Sequence, residues 1–348
     1  MPIRVIQWAT GSVGGAALRT LLSRTEFELA GVYVHSPAKA GRDAGEIAGL
    51  PDTGIRATDD PEEILALDAD CVTHMPLPSA YFTDDPDRDT RVICALLASG
   101  KNVVTTTGFS HPRTQSPELV QRLEEACARG KTSLYGAGIN PGFMSQVLPL
   151  ALTGLGARID HVYLRECSDF AGNPSRAVVT GTMGLGRSPG DYRQMIRPFR
   201  AFQEQSFAES IHLVAEGLGL RLDDVEARDE IAAATSAFDV AAGSIPAGAV
   251  AASRWTFSAT IEGRPVIDME CVYKSDSAQL LPWGDPGVVL RVQGHPEYVV
   301  RVEEFSNGLV GAAAYTVNAI PAVCAAAPGI RTCLDLPLIT GRGAVRLG

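Results

Sequence analysis

Gly11 and Gly14 stand in the run Trp8-Ala-Thr-Gly-Ser-Val-Gly-Gly15, directly behind a short apolar stretch. Glycine between a strand and a helix lets the backbone come close to a ligand. The free N–H groups and positive dipole end of that helix then suit a pyrophosphate. Thr10, Gly11, Ser12, Val13 and Gly14 are therefore the expected phosphate contacts, although Ala9 occupies the place of the first glycine in a full GxGxxG pattern. The next apolar stretch ends Tyr33-Val-His-Ser-Pro37, without the acidic residue that NAD-selective folds direct at the ribose 2′-hydroxyl. His35 and Ser36, with Lys39 and Arg42 behind them, suit a 2′-phosphate, so NADP is favoured over NAD.

Groups able to carry a proton are few. His74 falls at the carboxyl end of an expected parallel strand, the edge where such sheets bind ligands; it is either a proton donor or a packed, hydrogen-bonded core histidine. His111 is a similar candidate on a looser loop. Glu166 and Asp169, in Leu164-Arg-Glu-Cys-Ser-Asp-Phe170, flank the end of another strand. Two carboxylates close together raise one pKa and make a general acid. A surface ion pair of Glu166 with Arg165 or Arg176 is the competing reading. The seven cysteines are scattered and never form CxxC, so neither a disulfide framework nor a metal site is expected.

These groups need a scaffold, and the first part of the chain supplies a recognisable one. Short β-branched runs at residues 4–9, 28–35, 70–74, 101–105 and 132–135 alternate with helical stretches at 14–23, 89–99 and 117–129, and a short helix opens at Pro61. Such alternation predicts βαβ units and a parallel, Rossmann-type sheet. Past Gly142 the texture changes: a helix at 143–155, a strand at 160–167, helices at 191–203 and 206–218, and strands near 226–238, 250–261, 265–273, 288–292 and 298–304. Short turns such as Glu262-Gly-Arg264 and Gly294-His-Pro296 favour antiparallel hairpins. The expected organisation is α/β: a dinucleotide-binding domain over residues 1–145, a substrate and dimerisation α+β domain on a mostly antiparallel sheet over 146–306, and a helix and tail over 307–348 that pack back on the domain junction. Alternating faces in that second sheet, such as Trp255, Phe257 and Ala259, suggest a homodimer.

Composition limits the alternatives. At 348 residues the chain is long enough for two cores. A net charge of -10, with no cluster of basic residues, argues against nucleic acid as a partner. No apolar run is expected to reach the roughly 18 to 20 residues that cross a bilayer, and no basic-then-apolar leader opens the chain, so a cytoplasmic protein is expected.

Several segments resemble known families. Gly41-Arg-Asp-Ala-Gly-Glu-Ile-Ala-Gly49 resembles the segment after the second strand of dihydrodipicolinate reductases, and Val104-Thr-Thr-Thr-Gly-Phe109 resembles their element beside the nicotinamide. Gly138-Ile-Asn-Pro-Gly-Phe143 is closer to 2,4-diaminopentanoate dehydrogenases and related native amine dehydrogenases. Met75-Pro-Leu-Pro78, Asp84-Asp-Pro-Asp87 and Val317-Asn-Ala-Ile-Pro321 resemble actinobacterial members of that group. The resemblance implies further cofactor contacts at Met75, Pro76, Thr106, Thr107, Asn140 and Pro141, and it places His74 on the nicotinamide side. The paired histidines and nearby lysine of dihydrodipicolinate reductases are missing, so lysine biosynthesis is not expected. Amine dehydrogenases of the group keep a catalytic glutamate just after the Ser/Thr run; this chain has Gly108 and Phe109 there. The expected function is hydride transfer between NAD(P)H and a small carbonyl or imine carbon in the cleft between the domains. An amine dehydrogenase with a relocated acid/base, or a non-catalytic cofactor-binding sensor, are the alternatives.

Overall fold

The computed structural model describes residues 1–276, 281–303, 305 and 307–345. Two compact units emerge, the chain leaving the first after Phe143 and returning to it at Asn307. In the first unit β1 (Ile3–Trp8), α1 (Ser12–Leu22), β2 (Phe27–Tyr33), α2 (Ala44–Ala48), β3 (Ala57–Thr58), α3 (Pro61–Ala66), β4 (Cys71–His74), α4 (Ser79–Phe82), α5 (Arg88–Ala98), β5 (Asn102–Thr105), α6 (Pro117–Gly130) and β6 (Ser133–Gly136) follow one another. Every strand pairing among them is parallel. Local chemistry sets the helix starts: Asp60 and Ser116 accept from the backbone N–H groups of Glu62 and Leu119, and each is followed by a proline whose missing N–H costs nothing in a first turn.

The second unit holds α7 (Leu148–Thr153), β7 (Arg158–Asp169), α8 (Pro189–Met195), α9 (Arg197–Gly217), β8 (Asp224–Ala233), β9 (Phe238–Val240), β10 (Gly243–Ile245), β11 (Val250–Ile261), β12 (Arg264–Lys274), β13 (Gly287–His295) and β14 (Tyr298–Val302). Six strands form a sheet in the order β14-β13-β7-β12-β11-β8; β7 and β12 run parallel and the other neighbours antiparallel. Glu262 and Gly263, at φ 51° and 71°, make the tight turn expected between β11 and β12. One face of the sheet carries the core. Phe257 stacks on Phe207 of α9 with ring centroids 4.5 Å apart, and Leu164, Trp255, Met269 and Leu290 are buried with it.

Some local expectations fail for identifiable reasons. The helical region 191–218 breaks at Ile196, not near residue 204, because Pro198 lacks the N–H that a helix interior needs and so sits in the first turn of α9. The strand expected at 226–238 is two, with β9 and β10 forming a separate hairpin. The helix expected at 143–155 is a π-turn stretch, Phe143–Val147, followed by α7. Position 304, expected to end a strand, lies outside the described residues.

The last segment, expected as a separate helix and tail, completes the first unit. α10 (Gly308–Ala325) packs on α1 and the sheet, and β15 (Gly329–Arg331) adds in parallel to β6, giving the order β15-β6-β5-β4-β1-β2-β3. Contrary to the expectation that no run is long enough, α10 has the length and apolarity to cross a bilayer, 18 residues at mean hydropathy 1.5. Its apolarity has a partner within the unit, since Ala313, Val317, Ile320 and Val323 are fully buried with Val5, Ala17, Leu21 and Val104. Replacing Ile320 by alanine should therefore lower unfolding free energy by about 2–5 kcal/mol in a denaturant titration; an unchanged midpoint would show that α10 does not belong to this core.

Candidate functional site

Chain order reverses at β1, which lies between β2 on one side and β4 on the other. A crevice at the carboxyl ends of the strands is expected there. Ladder hydrogen bonds continue past the strand ends and hold the loops in place: Ala9 N–H donates to Tyr33 O at 2.9 Å, Met75 N–H to Trp8 O at 3.0 Å, Thr106 N–H to His74 O at 3.1 Å and Ala137 N–H to Thr105 O at 2.8 Å. The topology thus brings Thr10 to Gly14, His35, Ser36, Met75, Pro76, Thr106 and Thr107 to one edge. Asn140 and Pro141 follow β6 in a loop closed by Phe143 N–H on Gly138 O at 3.0 Å.

The glycine turn shows why its departure from GxGxxG is tolerated. Ala9 itself adopts φ 71°, the left-handed conformation that glycine takes freely and other L-residues take at about 1–2 kcal/mol. Buried Gln7 secures it: its Nε2 donates to Ala9 O at 2.9 Å while Oε1 accepts from Thr73 Oγ1 at 2.8 Å. A Cβ on Gly14 would lie 2.2 Å from Ala9 O, so Gly14 serves the packing of α1 against the turn. Gly11 is different. Its Cβ would meet nothing within 4 Å, and it opens α1 with no side-chain cap on the first N–H groups. That leaves an open cradle whose free N–H groups suit an anion.

On the ribose side the expected cations are already engaged. Lys39 Nζ donates to Thr10 O at 2.9 Å and to Thr10 Oγ1 at 3.1 Å, and Arg42 pairs with Glu46 at 2.9 Å. His35 and Ser36 remain exposed, with the His35 ring edge-on to Tyr33, which in turn stacks on Trp8 at 3.8 Å. Arg88, which the sequence did not single out, opens α5 without an ion pair among the described residues. Its charge helps to lower the pKa of His74 and His35, in each case after the larger effect of desolvation.

His74 is fully buried. Nδ1 lies 3.0 Å from Thr105 Oγ1, which is 2.9 Å from Thr107 Oγ1, and Nε2 is 3.9 Å from Asp89 Oδ1. Burial first, then the charges of His35 and Arg88, lower its pKa to about 3. A neutral imidazole in that state has no proton to give near pH 7, so the geometry favours the core-histidine reading and a positioning role through Thr105. Asp89 is itself held by Ser79, whose N–H donates to Oδ2 at 2.7 Å, and burial raises its pKa. His111 is buried as well.

Glu166 and Asp169 do not form the expected pair. β7 extends through Asp169, and with a side-chain period of two, residues 166 and 169 point to opposite faces. Glu166 shares its face with Val162 and Leu164, on the core side, where its charge contributes to raising the Tyr273 pKa. Asp169 ends the other face and accepts from Ala171 N–H at 2.8 Å. Among the described residues no group of acidic, histidine or cysteine side chains is placed to hold a metal.

A doubly wound parallel sheet with an open glycine cradle at its switch point defines a dinucleotide-binding protein of the Rossmann class. Comparison with known proteins narrows this. Residues 3–129 match the N-terminal domain of dihydrodipicolinate reductase, and residues 143–344 match the 2,4-diaminopentanoate dehydrogenase C-terminal domain. The chain is 31% identical to an amine dehydrogenase of Streptomyces virginiae over 99% of both chains, and 23% identical to the 2,4-diaminopentanoate dehydrogenase of Acetoanaerobium sticklandii over 97% of this chain and 94% of that one. An amine dehydrogenase structure from Mycobacterium smegmatis shares the fold, at TM-score 0.79 and 21% identity over 98% and 97% of the two chains. The chain belongs to the 2,4-diaminopentanoate dehydrogenase and amine dehydrogenase family and is an NAD(P)-dependent oxidoreductase.

Two measurements probe this geometry. Gly11→Val should leave thermal stability unchanged and weaken cofactor binding at least tenfold in a fluorescence titration, whereas Gly14→Val should destabilise the fold through the clash with Ala9; equal behaviour of the two variants would contradict the division of roles. The second is linkage at His74. Its pKa is about 3 when folded against 6.5 as a free side chain, so the unfolded state binds the extra proton between those values. Stability should be fully present above about pH 6.5 and fall as pH drops toward 3, by up to about 1.4 kcal/mol per pH unit. In His74→Gln that slope should shrink by up to one proton, as read from urea midpoints at pH 4 to 7.

Proposed function

We propose that this chain interconverts a small primary amine and the corresponding imine, and thereby ketone or aldehyde plus ammonia, using NADPH in the reductive direction. The observation carrying the carbon–nitrogen reading is the 31% identity, over essentially the whole of both chains, with a protein named amine dehydrogenase. The nicotinamide, when bound, supplies or accepts the hydride. The open cradle at Gly11 supports backbone contacts from Thr10 to Gly14 to the pyrophosphate. Met75, Pro76, Thr106, Thr107, Asn140 and Pro141 are the proposed contacts toward the nicotinamide. Reduction of a carbonyl without nitrogen is the second reading, favoured by Gly108 standing where the amine dehydrogenases carry their glutamate.

Following NADPH and NADH oxidation over a panel of ketones and aldehydes, with and without ammonium, separates the two. Turnover that requires ammonium is the expected result. Turnover on the carbonyl alone selects the second reading and overturns the first. Glu166 is proposed to handle the proton, because it lies on the core face of β7 and His74 is held neutral. Glu166→Gln should then lower kcat by roughly two to four orders of magnitude with cofactor affinity unchanged, and near-normal turnover would exclude it. Asp169→Asn should have the smaller effect.

NADP preference rests on Arg88 together with His35 and Ser36, since Lys39 and Arg42 are otherwise engaged. Arg88→Gln should weaken binding of 2′,5′-ADP about tenfold or more and leave ADP unchanged in calorimetric titration. Equal loss for both ligands would point to a general effect on the site. A cytoplasmic setting belongs to the same proposal and is supported by seven free cysteines, as expected where thiols stay reduced.

A further inference from the structure

His74 lies between a carboxylate and a row of hydroxyls that ends on the loop after β5. Its Nε2 is 3.9 Å from Asp89 Oδ1 and is a buried nitrogen with no hydrogen-bond partner among the described residues. Asp89 is fixed in place, because its Oδ2 accepts from Ser79 N–H at 2.7 Å while Ser79 Oγ accepts from Asp89 N–H at 2.9 Å. On the other side of the ring, Nδ1 is 3.0 Å from Thr105 Oγ1. That oxygen is also 2.9 Å from Thr107 Oγ1 and accepts from Thr107 N–H at 3.2 Å. A neutral imidazole carries its proton on one nitrogen or the other, and each choice orders the hydroxyls in one way.

With the proton on Nδ1, the ring donates to Thr105 Oγ1, whose two lone pairs are then taken by the ring and by Thr107 N–H. Thr105 must in that case donate to Thr107, and the Thr107 hydroxyl keeps a proton to give. With the proton on Nε2, the order reverses: Nδ1 accepts from Thr105, Thr105 accepts from the Thr107 hydroxyl, and Thr107 keeps only lone pairs. Asp89 decides between the two. A carboxylate repels a ring lone pair and attracts a ring N–H, and with both residues buried no water screens the difference. We infer that Asp89 holds His74 as the Nε2–H tautomer and thereby makes the Thr107 hydroxyl an acceptor, which takes an N–H from the carboxamide of the bound nicotinamide. The ligand half of this inference rests on the proposed placing of Thr107 toward the nicotinamide. Asp89 and His74 act through other groups and are positioning residues, while Thr107 makes the contact. A carboxamide has an N–H end and a carbonyl end, so a hydroxyl that can only accept selects one of its two orientations.

The tautomer and the contact are tested separately. Long-range proton–nitrogen correlation spectra of the isotope-labelled native chain, recorded without cofactor near pH 7, should show the His74 proton on Nε2. In Asp89→Asn it should move to Nδ1, because the amide oxygen stays on Ser79 N–H and the amide nitrogen then donates to a bare Nε2. A native His74 protonated on Nδ1 overturns the inference whatever the cofactor does. Calorimetric titration then compares NADP with its 3-acetylpyridine analogue, which keeps the carbonyl and lacks the N–H. The native chain and Thr107→Ser should bind NADP about five- to tenfold more tightly than the analogue, the usual effect of one hydrogen bond. Thr107→Val and Asp89→Asn should bind the two alike, while ADP, which has no nicotinamide, should bind all four proteins equally. A preference for NADP that persists in Thr107→Val overturns the contact. A native chain with the Nε2–H tautomer that does not distinguish the two cofactors overturns it as well, and with it the placing of Thr107 against the nicotinamide, but leaves the amine chemistry untouched.

Discussion

The close approach of Gly14 to the carbonyl of Ala9 is the contact on which the rest of the first unit depends. It sets how near α1 comes to the end of β1, and so where the free N–H groups of that helix begin. The contact needs two permissions. Position 14 must lack a side chain, and Ala9 must turn its backbone into a region that alanine does not favour. The Gln7 carboxamide meets the second requirement by accepting from Thr73 and donating to the turned carbonyl of Ala9, a polar clamp with no water-exposed substitute in so buried a place. With the turn held from below, Gly11 is left free on the ligand side. Two glycines that look equivalent in the sequence thus divide the work between packing and binding.

Burial decides the proton chemistry in the same unit. A histidine at the carboxyl end of a parallel strand has the right address for catalysis, but His74 lies beneath the edge and not on it, enclosed by Trp8, Thr105 and Asp89. Removing water from an imidazole penalises its charged form, and the nearby Arg88 adds to that penalty. The Thr107, Thr105 and His74 chain accordingly reads as a brace. It ties the loop after β5 to β4 through hydroxyl and imidazole contacts. Burial that holds the imidazole neutral favours a part in orienting its neighbours over the part of acid.

The sequence carries the parallel sheet plainly, because alternation of β-branched runs with amphipathic stretches is a property of neighbours along the chain. The glycine turn is legible for the same reason. What it does not carry is the partner of a cation or the depth of a side chain. Lys39 follows the second strand at the distance expected for a phosphate contact, yet its ammonium turns back to Thr10. Arg88 lies far along the chain and meets the same edge only because β4 sits beside β1. The sequence sends the last helix back to the domain junction but shows neither its seat on the first sheet nor the strand after it, since three-residue β15 is too short to show a period and a long apolar helix says that it is covered without saying by what.

The two carboxylates of β7 show how an error of two residues in a strand end becomes an error in chemistry. A strand stopping at Cys167 would leave Asp169 on a loop, free to fold back beside Glu166. Pairing with Lys274 on β12 keeps residue 169 in the strand, and the pleat then sends the two side chains apart. One carboxylate therefore joins the core face with Tyr273 and the other ends the charged face with Arg165. The same period of two that separates them gathers Arg165, Arg291 and Arg301 of three strands on one side of the sheet. With Asp169 sent to the opposite face, any catalysis by Glu166 depends on the groups it meets on the core face, Tyr273 among them, and not on a second carboxylate of β7.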